Sequence, residues 1–84
     1  MIFVKNASYQ TGYKIFVEFD NGDKGVVDLE GILWGEVFEP LKEIAKFRKF
    51  KVSDTFRTIV WENGADIAPE FLHDHLFQSE KSAA

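Results

Sequence analysis

The run Phe19-Asp20-Asn21-Gly22-Asp23-Lys24 limits the fold of this chain more than any other stretch. Before it, Tyr13, Ile15, Val17 and Phe19 alternate with Lys14, Phe16 and Glu18, the period-two pattern of a half-buried strand. After it, a second β-type run reaches Leu29, and Asn-Gly between two such runs is a strong hairpin signal. A two-residue loop at Asn21-Gly22 would set Ile15 opposite Asp28. A three-residue loop, with Gly22 in the left-handed conformation after a type I turn, sets Tyr13 opposite Leu29 and Ile15 opposite Val27 on the core side. On the other side it pairs Lys14 with Asp28, Phe16 with Val26 and Glu18 with Lys24. Such cross-strand matches contribute about 0.2–1 kcal/mol each. A slip of one residue would turn the whole apolar set to the wrong face. The three-residue loop is the expected register.

The rest of the chain is read outward from this hairpin. Ile2 to Tyr9 forms a further strand turned by Gln10-Thr11-Gly12, giving a three-strand meander over about residues 2–29. The period then changes. Val37, Phe38, Leu41, Ile44, Ala45 and Phe47 recur at spacings of three and four, and Pro40 suits a first helical turn, so a regular helix is predicted from Glu39 or Pro40 to Phe47. Phe50 and Val52 alternate with lysines as a strand, Phe56 to Trp61 forms another after a turn near Asp54-Thr55, and Pro69 opens a short helix to about residue 77. The polar, small residues 78–84 read as a flexible tail. The expectation is one α+β domain over residues 1–77, in the order β-β-β-α-β-β-α around an antiparallel sheet.

Composition removes several classes of function. There is no cysteine, hence no disulfide, thiolate metal site or thiol nucleophile. No apolar run is long enough to span a bilayer and no signal-peptide pattern opens the chain, so a cytoplasmic protein is expected and the sequon at Asn6 stays idle. The formal charge is −4, which does not favour nucleic acid for the chain as a whole. The serines at 8, 53, 79 and 82 lack a nucleophile-elbow frame, and no glycine loop is built to cradle phosphate.

A family resemblance rests on Phe19-Asp20-Asn21-Gly22, Asp28-Leu29, Val37-Phe38-Glu39-Pro40-Leu41-Lys42, Phe47 and Val52. It rests above all on the run from Thr58 to Leu72, with Trp61-Glu62-Asn63-Gly64-Ala65-Asp66 and Pro69 at its centre. Over about residues 1–76 the chain resembles the small bacterial family catalogued as domain of unknown function 2442. The resemblance implies an α+β fold of the order just given. It also implies relatives that carry a helix-turn-helix behind this domain, and others beside a second small domain in what look like toxin–antitoxin pairs. Ending at Ala84, the chain is too short for that added helix-turn-helix, and no established activity comes with the resemblance.

Four constellations could carry chemistry. Between Trp61 and Pro69, Asn63-Gly64 tolerates positive φ and Asp66 can accept backbone N–H bonds ahead of a proline-started helix. This is a strand–turn–helix joint in its simplest reading. Alternatively Trp61, Asn63, Gly64, Asp66 and Pro69 belong to a partner surface, for which tryptophan is a preferred anchor. Trp34, between Leu33 and Gly35, reads first as a lid over the core, and a glycine-bounded tryptophan also suits an exposed contact. His73 and His75 lie about 200° apart on a helix and cannot easily share a metal ion; His75 is expected to be half-buried and His73 solvated. Finally, Lys42, Lys46, Arg48, Lys49, Lys51 and Arg57 stand against only Glu43 and Asp54, a local +4 that leaves −8 on the remainder. This block reads as a solvated helix end and strand edge, or as a contact for an acidic partner or phosphates.

The residues name no reaction. The expected function is a non-enzymatic interaction module, the antitoxin-like or accessory component of a two-gene pair. It has a small protein partner, no catalytic residue, no cofactor, no metal and no membrane, and self-association remains open. The alternative is a nucleic-acid-binding regulator using residues 42–57, and a metal-dependent enzyme built on Asp66, His73 and His75 ranks last.

Overall fold

Three antiparallel strands, β1 (Val4–Thr11), β2 (Lys14–Phe19) and β3 (Lys24–Asp28), form a meander in spatial order β1-β2-β3. A computed structural model describes residues 1–83, with side chains as far as residue 76. The β2–β3 register is the expected one, with Lys14↔Asp28, Ile15↔Val27, Phe16↔Val26 and Glu18↔Lys24 opposed. Gly22 sits at φ 95° in the three-residue loop, where a side chain would be strained. Strand β1 is displaced from the expected 2–9. It runs on to Thr11, and Gly12 at φ 53° and Tyr13 make a two-residue turn.

The middle of the chain departs from the predicted regular helix. A 3₁₀ turn at Glu39–Lys42 and a single α turn, α1 (Ile44–Phe47), are separated by Glu43, whose ψ of 117° is extended. Side chains arriving from elsewhere take carbonyls of this segment, one of them at the break itself. The Tyr13 hydroxyl donates to the Lys42 carbonyl. The Trp61 indole N–H donates to the Phe47 carbonyl at 2.7 Å, and the Asn63 amide donates to the Val37 carbonyl at 2.9 Å. Of the predicted apolar stripe, only Leu41 and Phe47 are buried, while Val37 and Ala45 face outward.

A second, two-stranded sheet pairs β4 (Lys51–Val52) with β5 (Ile59–Val60). Residues 56–58 do not extend β5 as expected. Ser53 Oγ accepts from the N–H groups of Thr55 and Phe56, and Arg57 takes a positive φ of 56°, so Phe56 is left 63% exposed on a turn. Helix α2 starts at Pro69 as predicted and spans Pro69–Ala83, past the end near residue 77 read from the sequence. Ala84 and the side chains of the expected tail lie outside the described residues.

The core collects Ile15, Val17, Phe19, Val27 and Leu29 from one face of the meander. Leu33, Leu41, Phe47, Ile59, Trp61, Leu72 and Leu76 come from the other elements. Leu76 approaches β3 so closely that a Cβ built on Gly25 would lie 2.3 Å from its Cδ1. Gly25 is therefore the residue that lets α2 settle on the sheet. The whole is α+β in the order β-β-β-α-β-β-α.

Candidate functional site

The two tryptophans, both offered by the sequence as surface candidates, have opposite fates. Trp61 is 4% exposed, ringed by Phe38, Phe47 and Phe50 at centroid distances of 6.4, 5.9 and 6.3 Å. Its indole N–H is consumed by the Phe47 carbonyl. It is a core residue and cannot be an exposed anchor. Trp34, whose first reading was a lid over the core, is instead 72% exposed. Local backbone explains this. Leu33 points inward and is buried, the Trp34 N–H donates back to the Ile32 carbonyl at 2.9 Å, and Gly35 at φ 91° turns the chain away. The indole is left outside this tight bend.

Beside Trp34 lies a groove of about 460 Å³. One wall is Ile32, Trp34 and Phe38, from the segment after β3; the other is Asp66, Ile67, Ala68 and Phe71, from the approach to α2 and its first turn. The second wall is fixed from within. The buried Thr58 hydroxyl donates to the Ile67 carbonyl at 2.5 Å, and Asp66 bridges Val60 as an antiparallel backbone pair. Phe71, at the solvent side, stacks on the ring of His75 at 4.0 Å, and His75 Nδ1–H donates to the Phe71 carbonyl. Asp66 is the one acidic residue in an otherwise apolar lining. An apolar trough with a single carboxylate at its edge is suited to holding a hydrophobic segment and orienting it by one positive charge.

The remaining candidates scatter. Asn63 is a clip: its Oδ1 accepts from the Ala65 N–H while its amide holds Val37, and Gly64 completes the turn at φ 92°. Pro69 opens α2. Of the sequence-predicted partner surface, this groove brings together Trp34 and Asp66, while Trp61 and Asn63 line a separate, smaller recess. Ile32, Phe38, Ile67, Ala68 and Phe71 were not singled out, and the only hint was the glycine-bounded Leu33-Trp34-Gly35 loop.

Most of the basic block is engaged within the chain. Lys42 pairs with Glu39 at 3.1 Å and Lys46 with Glu43 at 3.8 Å. Arg48 lies over the Tyr9 ring at 5.0 Å. Arg57 lies 4.1 Å over Phe3 and 3.9 Å from Asp20. Lys46 and Lys49 line a smaller recess of about 320 Å³ together with Pro40, Leu41, Trp61, Glu62 and Asn63, and Lys51 is exposed on β4.

His73 is not solvated as expected. Its Nε2–H donates to Asp23 Oδ2 at 2.6 Å, with the ring edge-on to Phe19, tying α2 to the hairpin loop. This bond, with help from Asn21, holds the Asp23 carboxyl below its ordinary value. Among the described residues no group of three or more His, Cys, Asp or Glu is placed to hold a metal ion. No helix among them is long and apolar enough to cross a membrane.

Fold and groove together define a small α+β domain in which, among the described residues, the most exposed aromatic side chain lines an apolar trough. Residues 4–77 match the family described as "Protein of unknown function (DUF2442)", and the chain belongs to that family. No curated protein and no solved structure matches it.

Proposed function

We propose that this chain is a non-enzymatic interaction module of the bacterial cytoplasm that docks a protein partner in the Trp34 groove. The observation that carries the reading is the 72% exposure of Trp34 in a wall of otherwise apolar side chains. A large indole held in water by a fixed bend is available for burial on binding, and tryptophan leads the residues that dominate interface energies. Asp66 at the rim, on a chain of net charge −4, favours a partner segment that carries Lys or Arg beside its apolar residues. A small basic protein encoded next to this one fits that description, and the chain would then be the antitoxin-like or accessory member of the pair.

The test is co-purification with the product of the adjacent reading frame, followed by titration of the separated proteins. Trp34→Ala is expected to cost more than about 2 kcal/mol of binding while leaving the circular dichroism spectrum and melting temperature unchanged. Asp66→Asn should weaken binding less and flatten its salt dependence. A complex indifferent to Trp34→Ala would rule out the groove. Tight DNA binding at physiological salt, lost on substitution of Lys46 and Lys49, would replace the module with a nucleic-acid regulator.

A further inference from the structure

The outer edge of β3 carries a self-complementary pattern that the groove reading does not use. In the β2–β3 ladder the odd-numbered residues face each other through their backbones. The Phe19 N–H donates to the Asp23 carbonyl at 2.8 Å and the Leu29 N–H to the Tyr13 carbonyl at 2.9 Å, in the same register as Ile15↔Val27 and Val17↔Gly25. The backbone groups of Lys24, Val26 and Asp28 therefore point away from β2, along the side where the sheet ends. Their side chains lie on the face opposite α2, which packs Leu76 over Gly25 from the core side. All three are exposed. Among the described residues no backbone hydrogen bond reaches this edge from elsewhere in the chain.

We propose that this edge pairs with β3 of a second copy of the chain, antiparallel about a twofold axis at Val26. Three features select that occupant. First, reading outward from Val26, the edge carries Lys24 on one side and Asp28 on the other, so an antiparallel copy sets each Lys24 opposite the Asp28 of the second copy and Val26 opposite its own equivalent. Second, the parity is right. Every backbone group brought to the new seam is one that β2 does not use. Third, the charges continue across it. Within one chain Lys24 faces Glu18 and Asp28 faces Lys14. The joined six-stranded sheet then carries a cross-strand row Glu18, Lys24, Asp28, Lys14 that alternates in sign at every step, with both α2 helices on the opposite face. Asp28 Oδ1 already accepts the Glu30 N–H at 3.0 Å, which leaves Oδ2 for the lysine of the second copy. Lysine on a sheet edge ordinarily discourages pairing. Here it favours the symmetric register within β3, because a parallel copy sets like charges side by side and a two-residue slip removes both Lys24–Asp28 pairs.

The experiment combines mass in solution with thiol cross-linking. The chain has no cysteine, so Val26→Cys introduces a single thiol. The twofold places its Cα about 5.5 Å from that of its mate, within disulfide range. Lys24→Cys, whose mate is four residues out of register, is the control. Sedimentation velocity from low to high micromolar concentration is expected to reveal a two-chain species that Val26→Lys, with like charges on the axis, returns to a single chain. Mild oxidation is expected to link Val26→Cys in the native state and not in urea, and to leave Lys24→Cys free. A single-chain mass at every concentration overturns the proposal, as does a two-chain mass that Val26→Lys leaves intact, or equal cross-linking of the two cysteine variants. Should Val26→Lys unfold the protein, the cysteine pair alone decides.

Discussion

The meander of residues 4–28 and the segment of residues 30–47 solve the same problem in different ways. In the meander each strand satisfies its neighbour's backbone, and the connections are a two-residue turn and a three-residue loop. Between Glu30 and Phe47 there are only short turns, and several carbonyls are held by side chains from distant parts of the chain: Tyr13, Trp61 and Asn63. A strand pair is stabilised by what lies next to it. The second region is stabilised by what the rest of the molecule delivers to it. Substitutions at remote positions should therefore disturb residues 30–47 more than local ones do.

The largest effect is expected at Trp61. Trp61→Ala removes a buried ring and leaves the Phe47 carbonyl without its donor, a loss of about 3–5 kcal/mol in denaturant unfolding. Trp61→Phe should recover most of the packing but not the hydrogen bond. If the two variants proved equally stable, the carbonyl tie would have no energetic role. Next comes the seam where the sheet meets α2. Gly25→Ala sets a methyl group into the space of Leu76 and should cost about 1–3 kcal/mol by overpacking. In a Leu76→Ala background, itself destabilised, Gly25→Ala should cost less than in the native sequence, which would fix the contact as its cause. Tyr13→Phe is expected to be milder, about 0.5–1.5 kcal/mol. Its exchange signature should be local, with faster amide exchange around Lys42 to Phe47 and none added in β3. Uniform acceleration would show that the two regions are not separable.

The smallest effect concerns acid. Asp23 is held below its ordinary value of 3.8 in the folded chain, chiefly by the hydrogen bond from His73. Its stabilising contribution is therefore present above the unfolded value and is lost as pH falls through the lower, folded one. The stability gap between the native sequence and Asp23→Asn, from urea midpoints, should hold near pH 6 and close below about pH 3.8. A gap that persists in stronger acid would show that the carboxylate is not what His73 holds.

The same contrast explains what could be read from the residues alone. The β2–β3 register was legible because Lys14, Glu18, Lys24 and Asp28 are close in sequence and their pairing is decided across one loop. The Pro69 helix start was legible for a similar reason. The roles of the tryptophans were not. Nothing near Trp61 reveals that a carbonyl 14 residues earlier will take its indole N–H, and nothing near Trp34 reveals that Leu33 rather than Trp34 enters the core. The broken helix at Glu43 has the same origin, since the apolar spacing is helical and the hydroxyl that captures Lys42 comes from Tyr13. Half of the groove was hidden because its walls come from two segments that meet only after folding.

Holding a segment by remote side chains also bears on how that segment opens. The turns between Glu30 and Phe47 take three of their backbone partners from the sheet and the Trp61–Asn63 corner, so this segment is expected to open locally before the sheet does, an order that native-state amide exchange checks. Ile32, Trp34 and Phe38 belong to this segment, whereas Ile67 is anchored to the buried Thr58. One wall of the groove is then expected to loosen while the other stays in register. Occupancy of the groove would then be governed by a local opening far smaller than global unfolding, and an occupant that closes on Trp34 would slow amide exchange in residues 30–47 without raising the unfolding free energy of the sheet.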